Sequence, residues 1–245
     1  MANEREKELA GRAAAQLVRD GDVVGLGTGS TAYYAVLAIG ERVKAGLKIL
    51  GVPTSEATAK LARTLGIPLT TLDQNPVLDI DIDGADEVDP RLQLIKGGGG
   101  ALLREKIIAS ASRKFVVVAD SSKIVRKLGK FPLPVEIIDF ARPVLEKKIA
   151  ALGAATKLRT KPDGTPFVTD EGHHILDCTF ERISDAPALA RSLSEMPGVV
   201  EHGLFIGLAK QVFVGRGTNV EEIGGKKPAP RRIPQKPNRK RSRRA

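Results

Sequence analysis

Apolar and polar positions change along the chain in blocks that predict a regular alternation of helices and strands. Residues 4–18 carry apolar side chains at helical spacing, and a short apolar strand over residues 23–26 follows a turn. The same pattern predicts these further elements: helix 31–43, strand 48–52, helix 55–65, strand 77–83, helix 101–112 and strand 115–119. Strands and helices that alternate at this spacing are typical of a Rossmann-like, doubly wound and mostly parallel α/β sheet.

The pattern changes at residues 131–134, which read Phe-Pro-Leu-Pro. Beyond them the sequence predicts, in order, strand 135–139, helix 142–151, strands 154–159 and 174–179, helix 186–195 and strand 199–206. This β-α-β-β-α-β order is the signature of a smaller, ferredoxin-like α+β domain. A last apolar stretch over 211–214 predicts a strand that returns to the first sheet.

We therefore expect two domains. A Rossmann-like domain would cover residues 1–129 and be completed by about 207–222, and the ferredoxin-like domain would cover 130–206. The length of 245 residues is sufficient for a full core in such an arrangement.

Composition narrows the class of protein. Hydrophobic residues make up 42% of the chain, and no apolar run approaches the roughly 20 residues of a membrane helix. Residues 1–8 are acidic and have no apolar core, so we do not expect a secretory signal there. The single Cys178 excludes an intrachain disulfide and fits a reducing, cytoplasmic setting; we interpret it as a buried strand residue rather than a reactive thiol.

The net charge of +10 has a local origin. Residues 226–245 hold ten Lys or Arg and no acid, and the other 29 basic residues balance the 29 acidic ones. This proline-containing tail has no aromatic residue to bury, so we expect it to be a disordered, solvated extension. The alternative is weak, non-specific contact with nucleic acid or another anionic surface.

A glycine-rich turn over residues 25–31, GLGTGST, lies between a predicted strand and a predicted helix. Glycines let a backbone approach a ligand closely, and the free amides of the following helix favour an anion such as phosphate. A dinucleotide fingerprint would need glycine where Ser30 stands, and a P-loop would need Gly-Lys where Thr28-Gly29 stands. Phosphate binding and a plain tight turn remain open.

Acidic residues alternate with isoleucine over residues 79–83 and continue to Asp86. A calcium loop starting at Asp79 would need a glutamate at its twelfth position, which is Pro90. The alternation instead predicts a strand with Asp83 at its carboxyl end, where open parallel sheets bind ligands. We expect Asp79 and Asp81 to be solvated, and Asp83 and Asp86, beside a glycine bend, to belong to a site.

Glu105 lies on a predicted helix that is apolar on both faces, which indicates burial. Burial raises the pKa of a carboxyl group and makes it a better base near neutral pH, although pairing with Arg104 or Lys106 is an equal alternative. Lys96 precedes four glycines, and a cation there can stabilise negative charge that develops on an oxygen of a bound substrate. Lys123 follows a predicted strand and can pair with a phosphate group. Taken alone, each lysine is more typical of a surface position than of a site.

Five stretches resemble ribose-5-phosphate isomerases of the A type: GLGTGST (25–31), DGADE (83–87), KGGGGALLREKI (96–107), ADSSK (119–123) and LGKFPLPVE (128–136). The resemblance runs in order from the first helix to about residue 220. It implies a Rossmann-like domain with a smaller α+β domain, an aldose–ketose isomerase of the pentose phosphate pathway, no metal and no organic cofactor, and a homodimer or homotetramer.

The resemblance also implies roles for residues. Glu105 would move a proton between C1 and C2 of the open-chain sugar through a cis-enediolate, with Asp83 assisting ring opening and Asp86 ordering hydroxyls. Lys96, with the amides of 97–99, would stabilise the enediolate. The substrate-binding residues that it implies are Thr28, Gly29, Ser30, Thr31, Gly84, Ala85, Gly97, Gly98, Gly99, Lys123 and Lys7.

Three other functions compete with this one. A sugar-phosphate sensor without catalysis would not need Glu105 together with Asp83 and Lys96. A nucleic-acid-binding protein led by the tail is disfavoured by the neutral body and by a tail without stacking aromatics. Another isomerase or a deaminase of the same superfamily would differ mainly in the length of its sugar, which spacing does not determine.

Overall fold

The structure is a computed structural model, and it describes residues 2–180 and 182–224. The predicted basic tail, 226–245, lies outside the described residues. Within them, none of the helices is long and apolar enough to cross a membrane.

The helices are α1 (Ala2–Ala15), α2 (Ser30–Lys44), α3 (Glu56–Thr64), α4 (Leu102–Ala111), α5 (Arg142–Ala151) and α6 (Ala186–Ser194). The strands are β1 (Val23–Leu26), β2 (Leu50–Pro53), β3 (Ile80–Gly84), β4 (Glu87–Val88), β5 (Leu94–Ile95), β6 (Phe115–Asp120), β7 (Leu133–Ile137), β8 (Ala154–Leu158), β9 (His174–Phe180), β10 (Val199–His202), β11 (Leu204–Phe205), β12 (Ala209–Arg216) and β13 (Asn219–Gly224).

A six-stranded sheet forms the centre, in the order β13-β12-β6-β3-β1-β2. Every neighbouring pair is parallel except β12 and β13. Because β2 and β3 lie on opposite sides of β1, the strand order reverses between β1 and β3, and the loops at their carboxyl ends leave a crevice. The predicted doubly wound, mostly parallel sheet is confirmed, including the return of the last apolar stretch as β12.

The central sheet is covered on both faces. The six residues of β6 are all buried, as expected for a parallel strand between helical layers. Helices α1 and α2 pack together on one face, where Val24, Ile82 and Val116 contribute to the largest apolar cluster. Helix α4 contacts β3 and also β7 and β10, so it lies between the central sheet and the second sheet.

The second sheet is antiparallel, in the order β10-β7-β9-β8. Helix α5 connects β7 to β8, and α6 connects β9 to β10. This order confirms the predicted ferredoxin-like unit. Cys178 is buried in β9, as expected.

The strand predicted over 199–206 is instead two strands in two sheets. β10 pairs with β7, and β11 joins a small sheet of order β11-β5-β4. Gly203 separates them: its N–H donates to Pro134 O (2.7 Å) and its carbonyl accepts from Lys96 N (2.9 Å). A Cβ at this position would overlap Lys96 O, so the break needs glycine.

The strands β4, β5 and β13 were not predicted. Two-residue strands give no periodicity, and β13 is an edge strand in which no residue is fully buried. The predicted bounds also shifted by two or three residues at some strands, among them β3, which begins at Ile80 rather than 77, and β7, which begins at Leu133 rather than 135.

Gly215 on β12 faces the backbone of α1, and a Cβ there would overlap Glu6 O. We predict that Gly215→Ala lowers the free energy of unfolding by about 1–3 kcal/mol, because helix and strand must separate to admit a methyl group. Urea unfolding measures this. The neighbouring Arg216→Ala, which loses only an exposed ion pair with Glu221, should cost less than about 1 kcal/mol. Equal effects of the two substitutions would show that the helix adjusts freely.

Candidate active site

The site lies at the carboxyl ends of β1 and β3, where the strand order reverses. Gly27 follows β1, and a Cβ there would overlap Asp83, so glycine permits the close approach of the two chain segments. Asp83 Oδ1 accepts from Thr28 N (2.9 Å) and Gly84 N (2.7 Å). These two amides fix the Asp83 carboxylate at the base of the crevice.

Lys96 follows β5 and directs its side chain at the same point. Its ammonium nitrogen lies 2.6 Å from Gly84 O, 3.1 Å from Asp83 Oδ2 and 3.4 Å from Glu105 Oε1. Its side chain is 2% exposed. Burial alone would lower the pKa of Lys96, but the adjacent carboxylates of Asp83 and Glu105 raise it above its ordinary value, so the lysine remains charged.

Glu105 lies in the first turn of α4 and is buried. Its Oε1 faces Lys96, whereas Oε2 has no hydrogen-bond partner among the described residues. Burial raises the pKa of Glu105 to about 8, against the opposing effect of Lys96. A buried carboxylate oxygen without a partner, in a group with a pKa near neutrality, is suited to accept a proton from a bound molecule.

The alternative of a salt bridge with a neighbour on the helix is excluded. Lys106 Nζ lies 2.7 Å from Glu201 Oε1, and Arg104 pairs with Glu171 and Glu56. The prediction that both faces of the helix are buried was wrong on one side, because Ile107 is 44% exposed.

Asp81 is the clearest correction to the sequence analysis. We expected it to be solvated, but it is fully buried in β3, on the same face as Asp83, because α4 covers that face of the strand. It lies against Gly25 and Ile108, and neither of its carboxylate oxygens has a partner among the described residues. Burial and the nearby Asp83 raise the pKa of Asp81 well above its ordinary value, so the folded protein favours its protonated form.

Asp86 and the glycine loop, residues 97–100, form the wall beside Lys96. Asp86 Oδ2 accepts from Gly98 N (2.8 Å). Gly97 has a φ of 100° and Gly100 a φ of 84°, a backbone region that favours glycine. The amide of Gly99 has no partner among the described residues and is available to a ligand.

The opposite end of the crevice is suited to an anion. Helix α2 begins at Ser30, directly after Gly29, whose φ is 115°. Because the first-turn amides of a helix have no partner within it, those of α2 are directed out of the helix start, towards the crevice. Lys123 ends a single turn of 3₁₀ helix that follows β6. Asp120 Oδ1 accepts from Ser122 N (3.0 Å) and so caps this turn, which fixes the backbone that carries Lys123.

Two positioning groups were missed by the sequence analysis. Glu6 of α1 is buried, and its Oε2 accepts from Ser121 N (2.9 Å), so it holds the turn that carries Lys123. The hydroxyl of Thr28 lies within 3.0 Å of those of Thr54, Ser55 and Thr58, at the start of α3. In the sequence, the sign of a role for Glu6 was an acidic residue on the apolar side of a predicted helix. No sequence pattern indicated the hydroxyl cluster.

The residues that line this cleft come from segments 28–31 and 84–86, from Lys96 with the glycine loop, and from two single positions on α4 and after β6: Thr28, Gly29, Ser30, Thr31, Gly84, Ala85, Asp86, Lys96, Gly97, Gly98, Gly99, Glu105 and Lys123. Asp83 lies directly beneath it, bonded to Thr28 and Gly84. The structure does not bring Lys7 into the lining; its Nζ lies 2.7 Å from Glu4 Oε1. Among the residues described, no group of three or more acidic, histidine or cysteine side chains is arranged to hold a metal ion.

Comparisons with known proteins agree on one family. The profile of "Ribose 5-phosphate isomerase A (phosphoriboisomerase A)" matches residues 50–219. The chain is 54% identical to ribose-5-phosphate isomerase A of Parvibaculum lavamentivorans, over 89% of this chain and 97% of that protein. The corresponding protein of Bradyrhizobium diazoefficiens is 53% identical, over 91% of this chain and 96% of its own.

Solved structures give the same result. A D-ribose-5-phosphate isomerase in complex with phospho-erythronic acid superposes with a TM-score of 0.89 and 39% identity, over 92% of this chain and all of that one. Ribose 5-phosphate isomerase A of Methanocaldococcus jannaschii superposes with a TM-score of 0.86 and 41% identity, over 89% and 98% of the two chains.

The burial of Asp81 generates a prediction about stability and pH. The folded chain binds the Asp81 proton more tightly than the unfolded chain, which releases it above about pH 4. Stability therefore falls as pH rises from that point, by up to about 1.4 kcal/mol per unit. We predict that Asp81→Asn makes the free energy of unfolding depend less steeply on pH between 5 and 9, measured by urea titration. The exposed Asp73→Asn should keep the original slope; if Asp81→Asn keeps it too, Asp81 is ionised in the folded protein.

Proposed function

Because the chain belongs to the ribose 5-phosphate isomerase A family, we propose that it interconverts D-ribose 5-phosphate and D-ribulose 5-phosphate. The observation that carries this proposal is Oε2 of buried Glu105, which has no partner within 2–180 and 182–224, in a cleft that also contains Lys96 and a helix start suited to an anion. A base, a fixed cation and a phosphate site in one cleft are what isomerisation of a phosphorylated sugar needs. The reaction would place the protein in the pentose phosphate pathway.

The phosphate would bind at the start of α2. The amides of Ser30 and Thr31 have no acceptor in the described part of the chain and can donate there, and Ser30, Thr31 and Lys123 all line the cleft. A dianion at a helix start is stabilised by the dipole as well as by its hydrogen bonds. This contact would align the sugar so that C1 and C2 reach Glu105.

Asp83 would assist opening of the furanose ring: it would take the proton of the anomeric hydroxyl as the bond from C1 to the ring oxygen breaks, and pass that proton to the ring oxygen. It is suited to this exchange because burial raises its pKa, while Lys96 and two backbone amides oppose that shift. Asp86, which is half-buried at the edge of the cleft, would order the sugar hydroxyls.

Glu105 would then remove the proton from C2 of the open-chain aldose. The electron pair of that C–H bond forms the C1–C2 double bond, and the C1 carbonyl oxygen gains negative charge, which gives a cis-enediolate. Lys96 and the amides of the glycine loop would stabilise this charge. Return of the proton from Glu105 to C1, with transfer of the C2 hydroxyl proton to O1, leaves the ketose. No redox partner is needed, since one carbon is oxidised as its neighbour is reduced.

We also propose that the protein works as a homodimer or homotetramer in the cytoplasm, with the domain division predicted from the sequence. Ile138, Phe140 and Val144 of the smaller sheet unit are 50%, 97% and 55% exposed, and such neighbouring apolar side chains are suited to contact a second copy.

The first test is ketopentose formation from D-ribose 5-phosphate by the wild-type chain and by Glu105→Gln, with a chelator present. We predict wild-type activity that survives the chelator, and a fall in kcat on the order of 10²–10⁴-fold in the variant, because an amide accepts no proton. In the wild type, kcat/KM should rise with pH through about 8, as the Glu105 carboxyl ionises. Glu146→Gln on α5 serves as the matched control.

If the wild type is inactive but still binds the sugar phosphate, the protein is a sensor and not an enzyme. Undiminished activity in Glu105→Gln would assign the base to another residue.

A second prediction concerns the anion site. We expect Lys123→Met to raise KM for ribose 5-phosphate roughly tenfold or more, because it removes a charge-assisted contact with the phosphate, with a smaller effect on kcat. Steady-state kinetics measure both constants. Lys127→Met, an exposed neighbour on the same loop, should leave KM unchanged. A wild-type KM in Lys123→Met would place the phosphate elsewhere.

A further inference from the structure

Arg159 belongs to the smaller sheet but contacts the glycine loop of the cleft. It follows β8, and its backbone N–H donates to Ile175 O (2.8 Å). Its Nη1 donates to the carbonyl oxygens of Gly97 (2.8 Å) and Gly98 (3.2 Å). One side chain of the smaller sheet thus binds two successive peptide groups of the active-site wall.

The guanidinium of Arg159 is itself fixed in place. Its Nε lies 3.0 Å from Asp177 Oδ2, and its Nη2 donates to Asp177 Oδ1, which is the two-point geometry of the strongest arginine–carboxylate pairs. The Phe167 ring, with its centroid 5.9 Å from Arg159 Cζ, packs against Gly100 at the end of the same loop. The Arg159 side chain is only 13% exposed.

The geometry of the peptide group connects these contacts with the cleft. In a trans peptide, the carbonyl of one residue and the N–H of the next point in opposite directions. Arg159 binds the Gly97 carbonyl, and the N–H of Gly98 accordingly points away and donates to Asp86 Oδ2 (2.8 Å). By the same rule, binding of the Gly98 carbonyl directs the N–H of Gly99 away from Arg159. That N–H is the one without a partner among the described residues, and Gly99 lines the cleft.

Gly100 N donates to Gly97 O (3.0 Å) and closes a turn, but this bond does not fix the orientation of the central peptide, between Gly98 and Gly99. Glycine has no side chain whose packing selects one orientation of a peptide plane, and it adopts positive and negative φ about equally well. Only an outside contact can keep the Gly98–Gly99 peptide in one orientation. Arg159 makes this contact, and Asp86 holds the preceding peptide from the other side.

We propose that Arg159, held by Asp177, is a positioning residue that keeps the Gly99 amide directed into the cleft as a donor to the negative oxygen of the reacting sugar. This inference rests on the isomerase function proposed above and gives the smaller sheet a part in it. Arg159 acts through the loop and does not itself contact the substrate.

The test compares Arg159→Met, Arg159→Lys and Asp177→Asn with the wild type. Lys157→Met, which removes an exposed cation two residues earlier on the same strand, is the matched control. We expect kcat to fall on the order of 10–100-fold in Arg159→Met, less than the 10²–10³-fold known for deletion of an oxyanion donor itself, with KM changed less than about threefold. Arg159→Lys and Asp177→Asn should lie between Arg159→Met and the wild type, because each keeps part of the contact.

A binding measurement separates this role from a merely structural one. Phospho-erythronic acid carries a carboxylate that presents negative oxygens to the loop, whereas inorganic phosphate occupies only the anion end. By titration calorimetry, Arg159→Met should bind phospho-erythronic acid at least tenfold more weakly and inorganic phosphate as tightly as the wild type. Thermal unfolding of each variant shows whether its fold is intact.

The outcomes are distinguishable. Three results would overturn the positioning role. One is loss of affinity for both ligands in Arg159→Met; another is a fall in kcat that accompanies a loss of thermal stability seen equally in Lys157→Met. The third is unchanged kcat together with unchanged affinity for phospho-erythronic acid. If the wild type has no isomerase activity, the proposed function fails, and the calorimetric comparison still decides whether Arg159 orients the loop.

Discussion

The electrostatic imbalance around Lys96 is the constraint on which the rest of the site depends. One buried ammonium group faces Asp83 and Glu105, with Asp81 behind them, and all four side chains are almost completely removed from water. One cation cannot neutralise three carboxylates, so protonation of the cluster is favoured. Lys96 Nζ donates to Gly84 O and lies within 3.4 Å of a carboxylate oxygen of Asp83 and of Glu105, which holds the cation as a fixed charge. The basicity of Glu105 follows first from its burial, which Lys96 opposes and the neighbouring carboxylates reinforce.

The fold brings this cluster together from distant parts of the chain. Strand β3 supplies two of the acids, the segment after β5 supplies the lysine, and α4 supplies the third acid while it separates the two main sheets. The reversal of strand order beside β1 leaves space for a ligand above the acids, and glycine at position 27 lets the turn reach Asp83. The smaller sheet completes the wall through Arg159. Every layer of the protein therefore contributes to one cleft.

Much of this arrangement could be read from the sequence, because it follows local rules. The alternation of strands and helices, the glycine turn and the position of Glu105 on an apolar helix are all short-range signals. The burial of Asp81 was missed because period-two alternation shows which residues share a face of a strand, but not whether a helix covers that face. Glu6 and the pair of Arg159 with Asp177 act on segments far away along the chain, and one sequence contains no record of such contacts. The break at Gly203 was hidden because an apolar run continues across it.

Gly203 has a consequence for the order of events in folding. Its carbonyl accepts the backbone N–H of Lys96, although nearly half of the chain separates the two residues. Contacts between such distant segments close a large loop and form late, after local helices and hairpins. A chain emerging from the ribosome can therefore build β1, β2 and β3 early, yet its lysine is not locked beside the acids until β10 and β11 have been made. Catalytic competence would be among the last properties that the nascent protein acquires.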